Sequence, residues 1–151
     1  MPEALALDLD GVLGDTHGLW REWLDDLARR ARVELDSVPE DRVAAAAALD
    51  GLVGNWPALL ERFAEDRAPL HLRPDADVNA ALRRLAAEGA RLGAFTDAPE
   101  PLARVAAAQL GVARRLEALE TGADALERLL KRLGPDARVV GDRDELLRAA
   151  G

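Results

Sequence analysis

A short apolar run, residues 4–7, ends in two carboxylates two positions apart, Asp8 and Asp10, and Gly11 comes directly after them. The run reads as a buried strand. D-x-D-G then places charged groups at the strand's carboxyl end, which is where open α/β sheets bind their ligands. Carboxylates this close repel each other and lose hydration, unless a cation or a proton shared with substrate relieves them. The chemistry suggested is Mg²⁺-assisted phosphoryl transfer. One carboxylate can attack phosphorus and form an aspartyl-phosphate. Its neighbour can protonate the leaving oxygen and later activate water. A hard cation held by carboxylate, water and substrate phosphate would offset the charge. The plainer alternative is that Asp8 and Asp10 finish a strand and solvate a turn.

The stretch after this motif carries only helical patterns. Residues 17–32 have Leu19, Trp23 and Leu27 at helical spacing, with Trp20 and Leu24 beside them. Residues 36–50 predict a second helix around an Ala-rich run, closed by Gly51. Asn55-Trp56-Pro57 resembles an N-cap with Pro in the first turn, opening a third helix to about Ala68. The pattern changes after Pro69. Helices are predicted over 74–89, 101–110 and 122–133, with a last turn or two up to Gly151. Strands are predicted at 91–95, 115–119 and 137–140, in addition to residues 4–8. Strands alternating with helices imply βαβ units and a parallel sheet. The expected fold is therefore α/β, a doubly wound parallel sheet with an inserted all-helical cap. Residues 1–15 and 71–151 would form the sheet part, and 16–70 the cap. All three Trp and Phe63 lie in the insertion, where burial preference makes them a small core of its own. The alternative is that Trp20 or Trp56 lines a substrate pocket.

Composition narrows the function. The 151 residues carry a net charge of −8, which argues against a general nucleic-acid binder. There are no cysteines and only two histidines, so thiolate metal sites are excluded and a His-built zinc site is disfavoured. No apolar run approaches a membrane span. The N-terminus lacks the basic and apolar regions of a secretion signal, so a cytoplasmic location is the default expectation.

Two further strand ends carry chemistry. Thr96-Asp97 comes after the strand at 91–95. The Thr96 hydroxyl and the backbone N–H groups of that turn can hold phosphate oxygens. Gly141-Asp142 comes after the last strand, and Asp142 could complete a magnesium site with Asp8. Each alone is also a common helix cap.

Asp8-Leu9-Asp10-Gly11-Val12-Leu13, Thr96 and Gly141-Asp142, in this order, resemble the motifs of the haloacid dehalogenase-like hydrolases. The likeness spans nearly the whole chain, including a helical insertion after the first motif. It implies Mg²⁺, with Asp8 as nucleophile and Asp10 as acid/base. It also implies that Thr96 binds phosphate, and that the metal is held by Asp8, the Asp10 carbonyl and Asp142. The family's lysine would fall at about Glu120 or Thr121, but the only lysine is Lys131. The second acid expected past Asp142 is Leu146, leaving Asp144 or Glu145 to stand in. No close substitute for the lysine is expected from the sheet part, which leaves the cap's arginines, with Arg21 nearest in sequence, as the candidates.

The reading is a Mg²⁺-dependent phosphatase acting on a small phosphorylated metabolite. The alternative is a catalytically weak relative that binds phosphate or a partner protein. Dehalogenation would keep the nucleophile but needs neither Asp10 nor the metal. The strand at 137–140 is expected at a sheet edge, paired in a homodimer or covered by a helix.

Overall fold

The computed structural model describes residues 3–151. Four parallel strands form one sheet in the order β3-β2-β1-β4, where β1 is Ala4–Asp8, β2 Arg91–Thr96, β3 Ala118–Thr121 and β4 Arg138–Val140. In register, Asp8 lies beside Phe95 and Leu7 beside Val140. Thr96 therefore stands one residue, and Asp142 two residues, beyond partners of the β1 end. Three chain segments deliver their groups to one sheet edge.

The period-2 alternation of the strands sorts the two faces. Leu5 and Leu7 of β1, with Leu92 and Ala94 of β2, enter the main core beneath α4 (Ala76–Ala87), α5 (Glu100–Gln109) and α7 (Arg143–Ala149). Ala6, Gly93 and Ala118 face α6 (Ala125–Leu133), which buries Leu129 and Leu133 against them. Gly93 is needed there, because a Cβ would lie 2.6 Å from the Leu129 Cδ1. Helices thus cover both faces, as a doubly wound sheet requires. β4 is one of the two edge strands, with Val139 42% exposed.

Between β1 and α4 the chain is helical: α1 His17–Ala31, α2 Arg42–Leu52 and α3 Trp56–His71. These helices do not bury a core of their own. α3 packs on both α1 and α5, and its Leu60, Ala64 and Ala68 join the same hydrophobic cluster as Leu5 and Leu7. Trp20, Trp23 and Trp56 are all buried in that shared cluster, with ring centroids 5.4 and 6.1 Å apart. The Trp56 indole N–H also donates to Asp50. Among the described residues no single helix is long and apolar enough to cross a membrane.

Several boundaries differ from the sequence pattern. Residues 113–115 form a 3₁₀ turn, and β3 begins only at Ala118. Register decides this, since Gly93 of β2 pairs with Ala118. α2 begins at Arg42, not Asp36, because Asp41 caps it by accepting from the Ala44 N–H at 2.8 Å. It continues through Gly51 to Leu52. α3 runs past Ala68 to His71 and carries Pro69 in its last turn.

Candidate active site

Beyond Asp8 the backbone makes one tight turn, Leu9–Leu13, closed by the Gly14 N–H on the Leu9 carbonyl at 3.0 Å. Gly11 has φ 104° there, and a Cβ on it would sit 3.4 Å from the Gly141 carbonyl oxygen. The loops after β1 and β4 therefore touch. The turn leaves Asp8 and Asp10 facing a cavity of about 760 Å³ that Thr96 and Asp97 also line. Four of the five residues singled out from sequence are thus brought together.

Asp142 stands apart from that cavity's lining. It caps α7, accepting from the Glu145 N–H at 2.8 Å, while Glu145 accepts from the Gly141 N–H at 2.9 Å. This reciprocal pairing is close to a capping box. It engages Glu145, one of the two acids considered as metal support.

Asp10 is held from four sides. Its Oδ1 accepts from the backbone N–H and the hydroxyl of Thr16, both at 2.7 Å. Its Oδ2 accepts from the Thr96 hydroxyl at 2.8 Å and from Arg42 at 2.6 Å. Burial pushes the Asp10 carboxyl up. The Thr16 amide and hydroxyl, Arg42 and Thr96 outweigh it and hold the group below the usual carboxylate range. Asp8 lies outside this network. Burial first, and the charge of Asp10 second, push it up to about 6. The two carboxylates are driven apart, but in the opposite sense to a ready acid and an ionised nucleophile: in the free site the proton is held more readily by Asp8 than by Asp10.

Sequence reasoning missed three residues. Thr16, buried, fixes Asp10. His17 pairs with Asp15 at 2.7 Å and has a ligand atom within 4.8 Å of carboxylate oxygens of both Asp10 and Asp97. Arg42, at the start of α2, bridges Asp10 and Asp97 at 2.6 Å each. Arg21, expected as the nearest cap cation, lines a separate cavity of about 470 Å³ beside Trp20, Leu24 and Val38. His17 lines both cavities, and Arg42 lines this one while its guanidinium reaches Asp10 and Asp97 of the other.

The sequence profile of the haloacid dehalogenase-like hydrolases matches residues 2–150. The chain belongs to this family. Solved haloacid dehalogenase-like structures share its fold. A mutant of CbbY from Rhodobacter sphaeroides, in complex with xylulose-(1,5)bisphosphate, aligns with a TM-score of 0.68 at 15% identity, covering 100% of this chain and 84% of that one. A β-phosphoglucomutase from Clostridium difficile aligns with a TM-score of 0.62 at 13% identity, covering 99% and 82%. An L-2-haloacid dehalogenase from Xanthobacter autotrophicus aligns with a TM-score of 0.53 at 16% identity, covering 93% and 69%. A search of curated protein sequences returned no match. At such identities the likeness speaks for fold, and chemistry must be argued from the site.

Proposed function

We propose that this haloacid dehalogenase-like hydrolase is a phosphatase, cleaving a small phosphorylated metabolite through an aspartyl-phosphate on Asp8. The observation that carries the reading is the Asp8–Asp10 pair with the Thr96 hydroxyl 2.8 Å from Asp10, on adjacent strand ends. In the first step an Asp8 oxygen bonds to phosphorus, and the bond from phosphorus to the leaving oxygen breaks. Asp10, which its donors hold ionised in the free site, must take up a proton as substrate binds and then gives it to that oxygen. In the second step water attacks the phosphoryl group, Asp10 takes the water's proton, and Asp8 is released with inorganic phosphate. Thr96 and the turn at Asp97 orient the phosphoryl oxygens. A dehalogenase would have no use for a second carboxylate fixed as firmly as Asp10.

The residues fit a hard divalent cation. Asp8 is a half-buried carboxylate beside a second one, and its pKa of about 6 reports a charge in need of compensation. Asp8 and the Asp10 carbonyl would hold Mg²⁺; Asp142, the third ligand the family implies, has one oxygen on the Glu145 N–H and would have to offer the other. Bound there, the ion would neutralise charge on the transferring group.

Hydrolysis of 4-nitrophenyl phosphate, with Mg²⁺ and with a chelator in its place, tests the reading. Turnover that needs Mg²⁺ is expected. No turnover under either condition would leave the binding-module alternative. Lys131 lies exposed in the last turn of α6. Lys131→Ala is therefore expected to change that turnover by less than about twofold, as surface substitutions generally do. A hundredfold drop with the fold preserved would place Lys131 at the phosphate after all.

A further inference from the structure

The residues lining the Asp8 cavity include five acids, Asp8, Asp10, Asp97, Asp124 and Glu127, and neither lysine nor arginine. A transferring phosphoryl group adds further negative charge to such a site, and fixed positive groups are what stabilise it. Among the described residues the sheet part lines that cavity with no such group. Lys131 faces solvent. Arg128 is turned onto the Thr121 and Ala123 carbonyls, and Arg132 onto Glu120 at 3.2 Å.

Arg42 reaches this site from the neighbouring cavity, which it lines, and its guanidinium touches Asp10 and Asp97; its position has no local cause. It is a cation in the first turn of α2, where the helix dipole disfavours positive charge. It is also only 2% exposed, which costs desolvation unless partners compensate. Those partners are all in the site. Nη1 donates to Thr16 at 2.7 Å, Nε to Asp97 at 3.1 Å, and Nη2 to Asp97 and Asp10 at 2.6 Å each. Nη2 also lies 3.5 Å from the Thr96 hydroxyl.

We propose that Arg42, reaching in from the helical insertion, is the catalytic cation for phosphoryl transfer in place of a lysine of the sheet part. The proposal rests on the phosphatase reading above. Nη2 sits between the acid/base and the hydroxyl that orients phosphate. A phosphoryl oxygen bound by Thr96 falls within reach of that same N–H group. Nε on Asp97 and Nη1 on Thr16 fix the guanidinium plane while Nη2 exchanges the Asp10 oxygen for a phosphoryl oxygen. Asp97 is then a positioning residue for Arg42. The catalytic centre is complete only when α2 is seated on the sheet edge.

The test compares wild type, Arg42→Gln, Arg42→Ala and Arg42→Lys on 4-nitrophenyl phosphate with Mg²⁺, each checked for fold by circular dichroism. Losing one preorganised charge-stabilising group typically lowers kcat about 10²–10³-fold. That loss is expected for Gln and Ala, with at least a tenfold recovery of Arg42→Ala on adding guanidinium chloride at non-denaturing concentration. Arg42→Lys should exceed Arg42→Gln about tenfold or more. A folded Arg42→Gln near wild-type kcat, or a loss in Arg42→Ala that guanidinium does not relieve, overturns the proposal. If the neutral variants do not fold, wild type decides. Its Arg42 Nε–H resonance, assigned by its absence in Arg42→Lys, should shift and saturate as orthophosphate is titrated, and a static resonance overturns the proposal. Wild type that binds orthophosphate through Arg42 but turns over no ester refutes the phosphatase reading alone. Wild type that turns over while Arg42→Gln matches it refutes Arg42 alone.

Discussion

Asp8→Asn should abolish phosphatase turnover and, in the metal-free protein, raise the melting temperature at pH 8. The amide nitrogen and oxygen cannot attack phosphorus as a carboxylate does, so no aspartyl-phosphate forms. The stability half comes from linkage. The folded-state pKa of Asp8 is about 6 against an ordinary 3.8, so the folded chain binds this proton more tightly than the unfolded chain. The ionised group therefore works against the fold above pH 6. That penalty fades as pH falls through the folded-state value. Asn carries no charge, so the gain from Asp8→Asn should be largest at pH 8 and shrink by pH 5. Thermal melts with chelator at both pH values, beside the aryl-phosphate assay, check both halves. Residual turnover above a few per cent would rule out Asp8 as the nucleophile. An equal or lower melting temperature at pH 8 would contradict the burial and repulsion assigned to Asp8.

Much of the fold was legible because apolar runs stop at charged or turn-forming residues. β1 ends at Asp8, β2 at Thr96 before Asp97, and β4 before Gly141-Asp142. Those stops also brought Asp8, Asp10, Thr96 and Asp97 to one cavity. β3 was misplaced because residues 115–121 mix apolar and charged side chains without clear alternation. Its limits are set by pairing with β2, a tertiary choice that local pattern does not carry. The separate core expected for the insertion was wrong for a related reason. Composition puts the tryptophans inside, but cannot say that α3 lies on α5 and merges the two cores. Arg42 was the largest omission. Nearness in sequence favoured Arg21, whereas reach in space depends on where α2 begins. One local signal existed: an arginine opening a helix against the dipole, directly after the Asp41 cap.

Asp10→Asn is expected to slow turnover by about 10²–10⁴, the range for a lost general acid/base, and to lower stability at the same time. The kinetic part arises because Asn cannot protonate the leaving oxygen or take a proton from water. Phosphorylation of Asp8 by a good leaving group such as nitrophenolate, which needs little protonation, should persist longer than its hydrolysis. The modified enzyme should therefore accumulate and be detectable by mass. The stability part has the opposite sign to Asp8→Asn. Asp10 accepts from Thr16, Thr96 and Arg42, and its pKa lies below the ordinary value. It therefore stabilises the fold above pH 3.8, and that contribution is lost as pH falls through its depressed folded-state value. Asn leaves the buried Arg42 guanidinium with one carboxylate in place of two. Removing a partner from a buried ion pair costs about 3–5 kcal/mol, and the surviving Asp97 contact places the loss here below that range. At pH 8 and without metal, Asp10→Asn should melt lower than wild type and Asp8→Asn higher. Shifts of the same sign for the two variants would mean that the two carboxylates share one environment, against the separate contacts found for Asp10.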